Sequence, residues 1–128
     1  MKVADARLDF MLDDPQRGRA YIEVKQVTLK EQDHHGYFPD SVSTRGTKHL
    51  HSLRMLAEQG ERAVLLFCVA HEGIADVAAA AHIDATYAAA LVEASASGVE
   101  VLAYGIEVAR KQGRPIGVGL TRSLPVRL

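Results

Sequence analysis

Three charged residues near the N-terminus could do chemistry together: Asp9, Glu23 and Lys25. Glu23 and Lys25 lie two apart in YIEVKQVTL, Tyr21 to Leu29, whose β-branched and aromatic residues predict a strand. Side chains alternate across a strand, so the two project from one face. Asp9 sits in the preceding ARLDFML. A turn centred near Gln16 and Arg17 sets position 9 roughly opposite position 24, which brings Asp9 beside the pair. Two carboxylates that close repel unless a cation bridges them. Mg²⁺ or Mn²⁺ held by Asp9 and Glu23, with the backbone carbonyl of Val24 as a further ligand, meets that need. Lys25 would then orient or deprotonate an attacking water, or neutralise charge developing at phosphorus. In outline this is a phosphodiester-cleaving site with Asp9, Glu23 and Lys25 as its catalytic groups. The competing reading is an exposed Glu–Lys ion pair, which is worth little.

The elements that must position these residues follow from pattern. In ARLDFML, Ala6, Leu8, Phe10 and Leu12 share one face, as in a half-buried strand. DDPQRGR is the turn, and the two strands form a hairpin. KEQDHHGYFPDS reads as a polar loop, and Ser43 or Thr44 can cap a helix in which Leu50, Leu53, Leu56 and Ala57 face inward. Lys48, His51 and Arg54 then face outward, near a helix N-terminus suited to phosphate. Gly60 ends that helix. RAVLLFCVA is apolar throughout, as suits a strand covered on both faces. HEGIADVAAAAHI is ambiguous, and its alanines permit helix. Asp84 can cap a second helix ending at Gly98; VEVLAYGIEV is a strand, and IGVGL and LPVRL close the chain as an edge hairpin or extension. The order β-β-α-β-α-β with a β tail predicts a single α/β domain, a mixed sheet flanked by helices.

The chain has 128 residues, 48% hydrophobic, with a net charge of −1, which suits one globular domain and excludes a disordered chain. No apolar run reaches the length of a membrane span, so no membrane partner is expected. One cysteine, Cys68, cannot form an internal disulfide and fits a buried apolar role in a reducing cytoplasm. Charge is segregated: residues 41–57 and 108–128 carry bases and no acid, while 58–107 hold eight acids and one base, Arg62. Such a chain can present a basic face to a polyanion. The six histidines match no zinc-ligand spacing.

The stretches RLDFML, YIEVKQVTL, GYFPDSVSTRGTKHLHSL, GERAVLLFCVAH, HID, YAAALVEASASGVEVLAY and SLPVRL resemble the sugar fermentation stimulation protein family, in order and over nearly the whole chain. The resemblance implies a PD-(D/E)xK, restriction-endonuclease-like domain over residues 1–128. It also implies DNA binding, usually regulatory, and a link to sugar (maltose) metabolism. It sets the nuclease-like acid on Asp9, the E-x-K on Glu23 and Lys25, and a basic helix start on Arg45, Lys48 and His49. The family's N-terminal OB-like domain has no counterpart here, nor does the helix before the first strand, for whose acid Asp5 is the nearby substitute.

Three functions stay open at this point. The first is an Mg²⁺-dependent nuclease. The second is a DNA-binding regulator whose site is vestigial. The third is an α/β domain with a protein partner. DNA binding is the expectation, through Arg45, Lys48, His49, His51 and Arg54, with cleavage undecided. The sequence leaves the oligomeric state unknown, with a homodimer among the options.

Overall fold

In the computed structural model, residues 2–3, 6–7, 9–31, 34–70 and 73–128 are described. Asp5 and Leu8, both named above, lie outside them. In chain order the strands and helices are β1 (Lys2–Val3), β2 (Ala6–Arg7), β3 (Phe10–Asp14), β4 (Gly18–Val27), β5 (Leu29–Lys30), β6 (His35–Phe38), α1 (Thr44–Glu58), β7 (Arg62–Val69), β8 (Asp76–Ala79), α2 (Ala85–Ala96), β9 (Glu100–Lys111), β10 (Arg114–Leu124) and β11 (Val126–Arg127).

The sheet that positions the site has five strands in the order β10-β9-β7-β4-β3. Its three central strands, β4, β7 and β9, run parallel, and β3 and β10 are antiparallel edges. The expected hairpin is β3–β4. Its turn is held by the Asp14 carboxylate, which accepts from the amides of Gln16 and Arg17 at 2.8 and 3.0 Å. Gly18 follows with φ +81°, a conformation that favours glycine. Phe10 pairs with Ile22, which sets Asp9 level with Glu23 rather than with position 24. The difference is one residue of register.

Both helices pack into one core on one face of this sheet. Leu50, Leu53 and Leu56 of α1 join Leu65 and Phe67 of β7 and Tyr87, Leu91 and Ala94 of α2. The helix caps are those the sequence predicts. The Ser43 hydroxyl accepts from Gly46 N at 2.9 Å, and Asp84 accepts from Tyr87 N at 3.0 Å. Gly60 and Gly98 follow the two helices with positive φ. A flanking layer on each face was expected. Among the described residues no helix covers the second face; on that side of RAVLLFCVA Val64 is buried and Leu66 and Cys68 are half-buried.

Two expectations about elements change. β3 is exposed along its whole length, with Phe10 at 54% and Leu12 at 57%, because it is an edge strand beside the uncovered face. A second sheet, β11-β8-β6-β5, takes its two central strands from segments read as a loop and as ambiguous. HGYF becomes β6 and DVAA becomes β8, paired in parallel. Buried Val77 and Ala78 take strand geometry because ladder pairing and core contact override alanine's helix preference. Among the described residues no helix is long and apolar enough to cross a membrane.

Candidate functional site

On β4, residues 21, 23, 25 and 27 face the helices. Tyr21 and Val27 pack with the core, so Glu23 and Lys25 are carried inward between them. Glu23 is only 2% exposed. Its Oε1 lies 3.2 Å from Lys25 Nζ and 2.9 Å from His49 Nδ1. His49 reaches it from α1, itself 3% exposed, and its Nδ1 stands 2.9 Å from Lys25 Nζ. Asp9 closes the other side: its amide donates to Glu23 Oε2 at 3.2 Å, and its Oδ2 accepts from Val24 N at 3.0 Å. A one-residue slip between β3 and β4 would undo both bonds.

Burial raises the Glu23 carboxyl above the ordinary carboxylate range; Lys25 opposes that shift, and Asp9 adds to it through its charge while its amide opposes it. Burial, with the charges of Lys25 and Arg45, pushes His49 down to about 4. His49 is therefore neutral at pH 7, and its contact with Glu23 is a hydrogen bond rather than an ion pair. Neutral Nδ1 has two exclusive roles: protonated, it donates to Glu23 Oε1; unprotonated, it accepts from Lys25 Nζ. The Tyr87 ring packs beside Gly46, where an added Cβ would meet Cε2 at 3.1 Å. The Tyr87 hydroxyl is buried with no hydrogen-bond partner among the described residues. Burial, together with the charges of Glu23 and Asp84, raises that phenol.

Asp9, Glu23 and Lys25 thus come together, as their spacing predicts. Glu23 and Lys25 are not an exposed surface pair, since their side chains are 3% and 13% exposed. Val24 contributes its N–H to Asp9. His49 was expected at the nucleic-acid surface and is instead walled into the carboxylate cluster. The signal for it was present: His49, Leu53 and Leu56 are spaced i, i+4, i+7 along one helical stripe. Arg45, Lys48 and His51 are exposed on α1. Arg54 is engaged elsewhere, at 3.0 Å from Glu93 of α2 and 3.6 Å from Glu58. The acid-free run of α1 is therefore not acid-free in space. Arg122 and Arg127 are likewise used internally, on the Ile74 carbonyl and on Asp76.

Two hard carboxylates suit a divalent cation of the Mg²⁺ or Mn²⁺ type. Asp9 is exposed, and its Oδ1 takes no hydrogen bond among the described residues, so a donor atom stands ready at the rim. Among the described residues no group of three or more His, Cys, Asp or Glu is disposed to hold a metal. A cation here would rest on Asp9 and Glu23, with water or ligand oxygens filling its shell.

A mixed sheet with a carboxylate and lysine on a central strand and an acid just before the neighbouring edge strand defines a restriction-endonuclease-like domain. The family model of the sugar fermentation stimulation protein RE domain matches residues 1–112. The chain belongs to the sugar fermentation stimulation protein family. It is 57% identical over 129 residues to a homolog from Chromohalobacter salexigens, covering 100% of this chain and 51% of that one. To a Shewanella halifaxensis homolog it is 53% identical over 124 residues, covering 97% of this chain and 50% of that one. The fold is similar to that of Pyrococcus furiosus SfsA, solved in complex with Ca²⁺. The TM-score is 0.88 at 27% identity, covering 100% of this chain and 53% of that one. The chain spans about half the length of the curated relatives it matches.

Proposed function

We propose that this chain is a DNA-binding, nuclease-like domain in which Asp9 and Glu23 hold Mg²⁺ or Mn²⁺ and Lys25 stands over the scissile phosphate. The observation that supports it is the convergence of Lys25 and His49 on one oxygen of a buried carboxylate whose other oxygen meets Asp9. A carboxylate buried that deeply is costly unless its partners justify the position. A cation bound there would neutralise charge on the phosphodiester. Lys25, a compact cation beside that position, would stabilise the developing negative charge or take a proton from the attacking water. His49 fixes where Lys25 and Glu23 sit. Arg45 and Lys48, exposed on α1, are placed to meet phosphates. In the regulatory reading the domain acts in sugar (maltose) metabolism through DNA binding; the family's name supports the sugar link alone. The second reading is an active metal-dependent nuclease, favoured by the intact Asp9, Glu23 and Lys25 set.

One experiment separates these readings. Supercoiled plasmid is incubated with the protein and Mg²⁺ or Mn²⁺, and affinity for a short duplex is followed as salt rises. DNA binding predicts an affinity that falls with salt, and Lys48→Ala should lower the log–log slope by about one unit. A nuclease predicts nicked product that Lys25→Ala abolishes while affinity stays within a few-fold. Binding without product from either metal would favour the regulator. Absence of binding at low salt would sink both.

A further inference from the structure

β9 is 12 residues long, but it pairs with β7 only from Glu100 to Gly105. Beyond Gly105 its sole partner among the described residues is β10, so residues 106–120 form a two-stranded ribbon that leaves the sheet. The chain reverses at Gln112 and Gly113, with φ 53° and 79°, the two positive values that a two-residue type I′ turn requires. The ladder is irregular between Leu120 and Ser123, at the ribbon's root, where a bulge re-aims a strand. An isolated two-stranded hairpin is marginally stable in water, so a projecting one gains from a partner.

The tip carries Arg110, Lys111 and Arg114, all exposed, and none takes an ion pair among the described residues. Lys111 and Arg114 are direct partners across the ladder. Like charges set opposite one another destabilise a hairpin, so packing within the protein gives no reason for this pairing. Glu107, four residues back from Lys111, is the one acid between residues 106 and 128. Arg122 is engaged at the root, on the Ile74 carbonyl. Three cations left without a counter-charge at the end of a ribbon match a polyanion. A two-stranded ribbon also fits the DNA major groove, about 12 Å wide.

Register also places the ribbon relative to the carboxylate cluster. Lys25 is level with Phe67, and Phe67 with Ala103, two residues short of Gly105. The ribbon therefore leaves the end of the sheet nearest Lys25, two strands or about 10 Å to its side. From the level of Ala103 to Lys111 is about 26 Å of strand, so the tip stands within about one turn of duplex, roughly 34 Å, of Lys25. We propose that the ribbon is a second DNA contact: Arg110, Lys111 and Arg114 grip phosphates flanking the groove next to the phosphate at Lys25. This role rests on the DNA-binding reading above and does not require cleavage. It holds one duplex at two places, α1 and the ribbon, and asks for no base contact.

The test measures affinity for a short duplex as salt rises, in the wild type and in a triple variant, Arg110→Ser with Lys111→Ser and Arg114→Ser. Three lost phosphate contacts should lower the log–log slope by about 2.7 units. Arg17→Ser, in the β3–β4 turn at the far end of the sheet, should leave the slope unchanged. The triple variant should melt at or above the wild-type temperature, since it removes the Lys111–Arg114 repulsion. In parallel, Gln112→Cys and Arg17→Cys each carry a benzophenone maleimide and are photolysed with the labelled duplex. Gln112→Cys should cross-link, and Arg17→Cys should give only the background set by half-buried Cys68. Wild-type binding with an unchanged slope in the triple variant would overturn the ribbon's role and leave DNA binding through α1 standing. No wild-type binding at low salt would overturn both. If the triple variant melts lower, the cross-link decides, and background yield at Gln112→Cys would overturn the proposal.

Discussion

His49 joins α1 to the sheet through one ring nitrogen, and its neutrality has a measurable consequence. In the unfolded chain an imidazole takes up a proton near its ordinary 6.5, whereas the folded ring refuses it until about pH 4. The unfolded state therefore binds more protons across that window, and stability falls as pH falls through it. The full shift corresponds to about 3 kcal/mol. Glu23 works the other way: its raised carboxyl favours the folded state when protonated, and that contribution is lost as pH rises above the ordinary 4.5. Burial of the neutral ring makes His49 the larger effect. Urea unfolding in EDTA should lose about 2 kcal/mol between pH 7 and pH 4.5 in the wild type, and markedly less in His49→Gln. Parallel pH profiles for the two proteins would remove His49 as the cause.

At the scale of elements, β6 and β8 depend on a residue without a side chain. A Cβ at Gly36 would meet Ile74 Cγ2 at 2.8 Å and the Asp76 carbonyl at 3.2 Å, so Gly36→Ala must displace the buried Ile74 side chain and crowd β8. A loss of about 1–3 kcal/mol is expected, read as a lower urea midpoint. A midpoint unchanged from wild type would mean that the pairing of these strands yields easily. This second sheet was the part hidden from the sequence. HGYF follows a polar run and DVAA is half alanine, so neither shows the alternation or β-branched content that marks a strand. Their geometry comes from pairing with each other and with β11, contacts far apart in sequence. The helices were legible because Ser43, Asp84, Gly60 and Gly98 punctuate them locally. Most of the site was legible too, since E-x-K on a strand fixes a shared face. The exact partner of Asp9 was not, because a hairpin's register rests on turn geometry that composition leaves open. His49 was missed because a basic run invites an outward assignment, though its spacing with Leu53 and Leu56 pointed inward.

For the molecule as a whole, the proposed cation should behave as a ligand of the folded state alone. Asp9 and Glu23 come from different strands, and the unfolded chain does not hold them together. Saturating Mn²⁺ should therefore stabilise the protein, by about 2.7 kcal/mol at one hundred times its dissociation constant. Asp9→Asn should abolish most of the rise in melting temperature while leaving the metal-free value close to wild type. A rise of the same size in Asp9→Asn would remove the Asp9–Glu23 pair as the binding site.

The Asp84 carboxylate reaches beyond its own helix. One oxygen accepts from Tyr87 N at the start of α2, and the other accepts from Ser43 N, which itself caps α1, at 2.8 Å. Both helices therefore begin on a single side chain, and His49 rides on one of them. A fluctuation that frees Asp84 releases two helix starts at once, so the amides of Ser43 and Tyr87 belong to one opening unit although they are distant in sequence. Deuterium uptake at these two amides should follow a common rate, and Asp84→Asn should quicken both together. The Glu23–Lys25–His49 cluster would then inherit part of its rigidity, through α1, from a carboxylate at the start of α2.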